Sequence, residues 1–249
     1  AIRDNLVNTI RGSIEVANIA PISADISLPS SEELKYRTYA SKASQMRAVT
    51  RNDYEAYCYM MPSSLGNIKR ASIINDPSSS NRRLSLYVVS ENSSNQLIST
   101  NDTTKQNLKQ WLNKNKMLND NIDIYSAKVI NIGFDYNIIV HPSKDKIEVL
   151  NSVNDKLQSE LQSKMYIGEP FYLTNIYNMI NKVDGVIDTT KVKPIIKFGS
   201  EYATSIVGIR DIKSKDGTYL KAPKNAIFEI KFPNTDIRGT AVWFADIMP

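Results

Sequence analysis

QMRAVTRNDYEAYCYMMPSSLGNIKRA, residues Gln45–Ala71, reads as a helix start, a short helix, a stop and the approach to a strand. Thr50 suits an N-cap, because its hydroxyl can accept from the orphan N–H groups two or three residues on. Asp53 follows three residues later as an acidic capping-box partner, and a carboxylate there complements the helix dipole. Tyr54, Tyr57 and Met61 fall on one face, with Cys58 beside them. Pro62 ends the helix. Ser63, Ser64 and Gly66 make a turn, and the chain leaves through Ile68. Tyr54 and Tyr57 are therefore expected to be mostly buried under a helix capped by Thr50.

Downstream, Ile68–Asn75 has the β-branched density of a strand, and Asp76–Asn81 (DPSSSN) is a loop. Leu84, Leu86 and Val88 alternate with Ser85, Tyr87 and Val89. That predicts a strand paired closely and antiparallel with the one before it. Asp102 is placed to cap a helix to about Met117, with Leu108, Trp111 and Leu112 on one face. Ile122–His141 is a long extended stretch, in which Gly133 suggests a bend or bulge. Lys146–Tyr166 has the best helical stripe: Val149 or Leu150, Val153, Leu157, Leu161 and Met165. Gly168 lies just beyond it, where a C′ glycine belongs. A shorter helix over Phe171–Val183 and a strand over Val186–Lys197 follow.

Upstream, residues 1–30 look extended and irregular, punctuated by Pro21 and Pro29. Ser30 or Ser31 caps a helix to about Gln45, carrying Leu34, Tyr36, Tyr39 and Ala43. Beyond residue 200 the pattern is β-rich, with strands expected over Ala226–Phe232 and Thr240–Ile247. The order predicts an α+β fold: a mainly antiparallel sheet with helices packed on one face, plus a β-rich C-terminal extension. The expected divisions are 1–66 (an extended segment and two short helices), 67–197 (an α+β sandwich) and 198–249 (the extension). The helices at 102–117 and 146–166 are expected on the same face of one sheet, Val153, Leu157 and Leu161 meeting the strands at 84–90 and 122–140. There is no Gly-rich phosphate loop and no βαβαβ run.

The opening stretch also carries a likeness. Arg47, Ala48, Val49 and Thr50, with Asp53, Tyr54 and Glu55, resemble the R-A-V-T-x-x-D-Y-E pattern of the baseplate J-like family of contractile phage tails. Asn18–Ser23 (NIAPIS) and Ser31-Glu32-Glu33-Leu34 match in the same order. Within that family the chain is most similar to the baseplate wedge subunits of T-even-type phages, over about residues 16–197. Residues 198–249 match no motif of it. The resemblance implies a structural subunit of the inner baseplate ring, acting through subunit contacts in assembly and tail contraction. It implies a virion tail location, assembly in the host bacterial cytoplasm and further N-terminal domains, this chain being the C-terminal portion. The partners expected are other baseplate subunits and a second copy of the chain, most simply as a dimer. No membrane, nucleic acid, small-molecule ligand, cofactor or metal is expected.

Bulk properties agree with an ordered chain. Its 249 residues are 41% hydrophobic, no apolar run reaches the ~18 residues of a membrane span, and the single Cys58 excludes an intrachain disulfide. Of the +5 net charge, residues 191–249 supply 10 basic against 6 acidic side chains, or +4. Lys213, Lys215, Lys221 and Lys224 are spread among turn residues, which reads as a solvated basic face. An acidic protein partner or a nucleic-acid-binding module in this basic quarter is the alternative.

Chemistry is sparse. His141 is the only histidine, and Cys58 is its one conceivable nucleophilic partner. The ordinary readings are a strand-end histidine and a buried small hydrophobe. Asp184 and Asp188 lack further carboxylates, and Asn119–Asp123 lacks the glycine and distal Glu of a calcium loop. An unidentified α+β enzyme stays open as a rival class; no catalytic residue is assigned. Phe228, Phe232, Ile237, Trp243 and Phe244 form a terminal aromatic cluster. Such residues are either core or a surface packed on a neighbouring subunit, and the 194–249 segment is the expected contact region.

Overall fold

The computed structural model describes residues 28–45, 47–75, 83–161, 165–204 and 207–243. The Asn18–Ser23 match and Phe244 lie outside these. The opening helix forms as expected. Helix α1 spans Ser31–Ala43 and α2 spans Arg51–Tyr59. The Thr50 side chain accepts from the Asp53 N–H and the Asp53 carboxylate accepts from the Thr50 N–H, a complete capping box. Tyr54, Tyr57 and Cys58 are each 1% exposed and Met61 is 7% exposed. Ser30 caps α1 through the Glu33 N–H.

Strands β1 (Arg70–Asn75) and β2 (Arg83–Glu91) pair antiparallel, as the alternation predicts. The two-residue β3 (Leu97–Ile98) returns antiparallel on β2. Helix α3 (Asp102–Asn113) follows, capped by Asn101 rather than by Asp102. Strand β4 (Asn121–Ser126) then pairs with β2, but in parallel. This sheet is mixed because β4 returns after a helical crossover.

The expected long strand is divided at Ala127. Its first part is β4; its second, β5 (Lys128–Val140), leaves the first sheet and centres another. On one side β5 meets β9 (Ala226–Glu229) and β10 (Ile237–Trp243), both in parallel. On the other it meets β7 (Val186–Ile196), antiparallel. The bulges of β5 lie at Asn137/Ile138 and Ile139/Val140, not at Gly133. Gly133 instead admits the Asp236 backbone, with which any Cβ there would collide. Close backbone approach is the other use of a strand glycine.

Helices α4 (Lys146–Leu161) and α5 (Leu173–Asn181) cover the second sheet. Phe171 and Tyr172, expected inside α5, form β6 and pair with β8 (Tyr219–Leu220). The C-terminal quarter also contains two four-residue helical turns, α6 (Ile209–Ile212) and α7 (Pro233–Asp236).

The division at Ala127 corrects one expectation. Helices α3 and α4 do not share a sheet. Leu108 and Leu112 of α3 pack with Tyr54, Tyr57, Leu86, Val88 and Ile122 in a first core. Val149, Val153 and Leu157 of α4 pack with Ile130, Phe134, Tyr136, Ile138 and Ile237 in a second. The strand at 84–90 therefore does not meet α4. A smaller cluster of Val89, Ala127, Val129, Ile167 and Ile227 joins the two. Strands β9 and β10 belong to the second sheet. All four residues of β9 are buried, Ile227 toward the joining cluster and Phe228 toward the second core.

Candidate interaction surfaces

The residues singled out for chemistry are held apart. Cys58 is buried in the first core, and burial pushes its thiol well above the ordinary range. His141 is exposed beyond the end of β5, its Nδ1 2.7 Å from the Ser143 hydroxyl. Asp184 pairs with Lys144 at 2.8 Å, which holds its carboxyl below the usual range. Asp188 accepts from the Thr189 N–H. No group of three or more metal-ligating side chains occurs among the described residues. None of the described helices is long and apolar enough to cross a membrane.

Asn119–Asp123 has a different task. Asp120 is 4% exposed, and its Oδ2 accepts from the Tyr54 hydroxyl at 2.7 Å. Asp123 pairs with Arg83 across β2 and β4. The loop thus ties the opening helix to the first sheet.

The terminal aromatic set divides between the two readings. Phe228 is 2% exposed and Ile237 4%, so both are core of this chain and present no surface. Phe232 is partly buried and meets Tyr202 edge-on at 5.6 Å. Trp243 is 40% exposed, with the Lys146 ammonium 3.8 Å from its ring centre. Lys213, Lys215, Lys221 and Lys224 are all exposed.

Two arrangements escaped the sequence. The first is the outer edge of β1. The Ala71 N–H donates to the Tyr59 hydroxyl at 3.0 Å, and the Ile73 N–H to the Glu55 carboxylate at 3.1 Å. Glu55 and Tyr59 stand four apart on α2, so one helical face satisfies two edge donors. Burial raises the pKa of both, Tyr59 to about 12, and the bond from Ile73 counters part of that for Glu55. The helix therefore shields a sheet edge that would otherwise invite another strand.

The second is α1, which has no buried residue. Its inner face carries Glu33 and Arg37. Glu33 pairs with Arg70 at 2.7 Å and with Arg37 at 2.5 Å. Arg37 lies over the Tyr59 ring at 4.0 Å. Arg70 is itself 3% exposed; it donates to the Met165 carbonyl and lies 4.6 Å from the Tyr166 ring centre. Meanwhile Leu34, Tyr36 and Tyr39 face outward at 55%, 61% and 77% exposure. The usual amphipathic arrangement is inverted, with charges inward and aromatics outward. The signal available was Glu33 and Arg37 at helical spacing, set beside Tyr36, Tyr39 and Ala43, which make a stripe of their own.

An apolar pocket of about 170 Å³, lined in part by Leu161, Met165, Phe171, Ile176, Met179 and Phe228, sits against the second core. It is smaller than the roughly 300–1,000 Å³ usual for ligand sites.

No family model and no curated protein matches the chain. Among solved structures it is similar to a chain of one described as the cryo-EM structure of the anti-feeding prophage baseplate, six-fold symmetrised. The TM-score is 0.52 at 10% identity. The match covers 82% of this chain and 42% of that one, so this chain spans less than half of its neighbour's length. At that identity the likeness is one of fold.

Proposed function

We propose that this chain is a structural subunit of a contractile-tail baseplate, working through contacts with other subunits rather than through a catalytic centre. The observation that carries this reading is the fold shared over 82% of the chain with a chain of the anti-feeding prophage baseplate. The likeness of Arg47–Glu55 to the baseplate J-like pattern points the same way independently. Both cores lie within one chain, and α1 offers outward aromatics. A pre-formed body with surface anchors is what a repeated structural unit needs. The finer reading is a wedge protein of the inner ring, located in the virion tail and self-associating.

The test is to display an epitope tag on this chain in its source and label purified tail particles with gold. Gold at the baseplate end of the tail is the expected result. Particles that lack the chain, or label along the tube, overturn the reading. A DNA titration across salt addresses the basic C-terminal quarter separately. Binding with a steep salt slope would replace the assembly reading with a nucleic-acid one.

A further inference from the structure

We infer that α1 is a two-fold contact, on which the outward tyrosines of one copy meet those of a second copy of this chain. The inference deepens the assembly reading and rests on it.

The argument begins with what α1 leaves outside. At about 100° per residue, Glu32, Tyr36, Tyr39 and Ala43 share one stripe. All four are exposed. This stripe lies to one side of the inner face, where Glu33 and Arg37 meet Arg70 and Tyr59. The body thus grips α1 by its charges and leaves its aromatics unused. Tyrosine presents large contact area at low entropic cost, which is why it is enriched where proteins meet.

The occupant follows from charge. Glu33 is held inward by Arg70 and Arg37, so the outward charges of α1 are Glu32 at its start, Lys35 a turn on and Lys42 in its last turn. A helix of that kind is complementary to itself when turned end for end. Antiparallel pairing sets Tyr36 of one copy against Tyr39 of the other, twice over. It brings Glu32 beside Ala43 and Lys42 of the other copy, again twice. The helix dipoles also oppose favourably. A two-fold axis requires such reciprocity, each residue meeting its counterpart's partner. A parallel pairing would stack like charges at both ends.

A contact of two short helices is small beside the roughly 1,000 Å² of a persistent interface. In isolation it is weak, and it gains strength when a ring supplies other contacts at once.

The experiment is disulfide trapping of the full chain carrying Glu32→Cys and Ala43→Cys. The two positions lie ~16 Å apart along one helix, beyond the reach of a bond within a copy. Native Cys58 is 1% exposed and stays out of the reaction. Mild oxidation is expected to give a covalent dimer joined by Glu32→Cys to Ala43→Cys bonds. Thr38→Cys, on another side of α1, serves as the control and is expected to cross-link at least tenfold more slowly. Adding Tyr36→Ser and Tyr39→Ser is expected to slow trapping of the reactive pair at least tenfold. Because both side chains are exposed, the thermal midpoint should not move.

Trapping no faster than the Thr38→Cys control overturns the inference, as does trapping indifferent to the tyrosines. Introduced cysteines that resist a small thiol reagent also overturn it, because the chain's own residues then cover the stripe. Association seen by light scattering without trapping removes α1 as the contact and leaves the assembly reading standing.

Discussion

Tyr54 performs two tasks with one hydroxyl, donating to Asp120 and accepting from the Met117 N–H. Removing it in Tyr54→Phe leaves the buried Asp120 carboxyl and the Met117 N–H without that partner and should cost ~1–3 kcal/mol, the range for a buried polar group left unsatisfied. Chemical denaturation reads this directly, and an unchanged midpoint would show that the bond contributes nothing. Glu229 is the other informative residue. It is 8% exposed, and accepts from the Leu97 N–H and the Asn131 amide. Burial raises its pKa above the ordinary 4.5, and those bonds offset part of the rise. A carboxyl with a raised folded-state pKa contributes stability fully present below its unfolded value and lost as pH rises through the folded one. Wild type should therefore lose stability relative to Glu229→Gln as pH climbs from below 4.5 toward neutrality. Parallel pH curves for the two proteins would refute this.

At the scale of elements, α2 both fills the first core and closes a sheet edge. Tyr59→Phe should leave the Ala71 N–H without its acceptor, and hydrogen exchange in β1 should accelerate while the second sheet is unaffected. Uniform exchange across both sheets would place the edge elsewhere. The capping box and the burial of Tyr54 and Tyr57 were legible because each depends on residues within about one helical turn. The edge-closing use of Glu55 and Tyr59 was not, since it depends on which strand the helix lies beside. The division at Ala127 was hidden for the same reason. Nothing local marks Ala127; the strand changes sheets because β2 accompanies one part and β7, β9 and β10 the other. Phe228 could not be assigned from alternation, because β9 is buried on both faces. In α1, the residues that look like a core stripe are turned outward by an ion pair to Arg70, 37 residues away.

The described residues form two helix-covered sheets that share one extended run of chain, with the short β6–β8 pair beside them. Leu157 is fully buried in the second core. Leu157→Ala should cost ~2–5 kcal/mol; with Trp243→Phe leaving Trp111 the single tryptophan, fluorescence reports the first core, and hydrogen exchange in β5 reports the second. Coincident loss by both probes means one cooperative unit, and separate transitions mean two. The central claim is that this body exists to be assembled. Light scattering of the purified full chain, over a concentration series into the high micromolar range, tests it most directly. The account predicts an average mass that rises above the 28.1 kDa of one chain as concentration increases. A mass fixed at that of one chain throughout the series would contradict it.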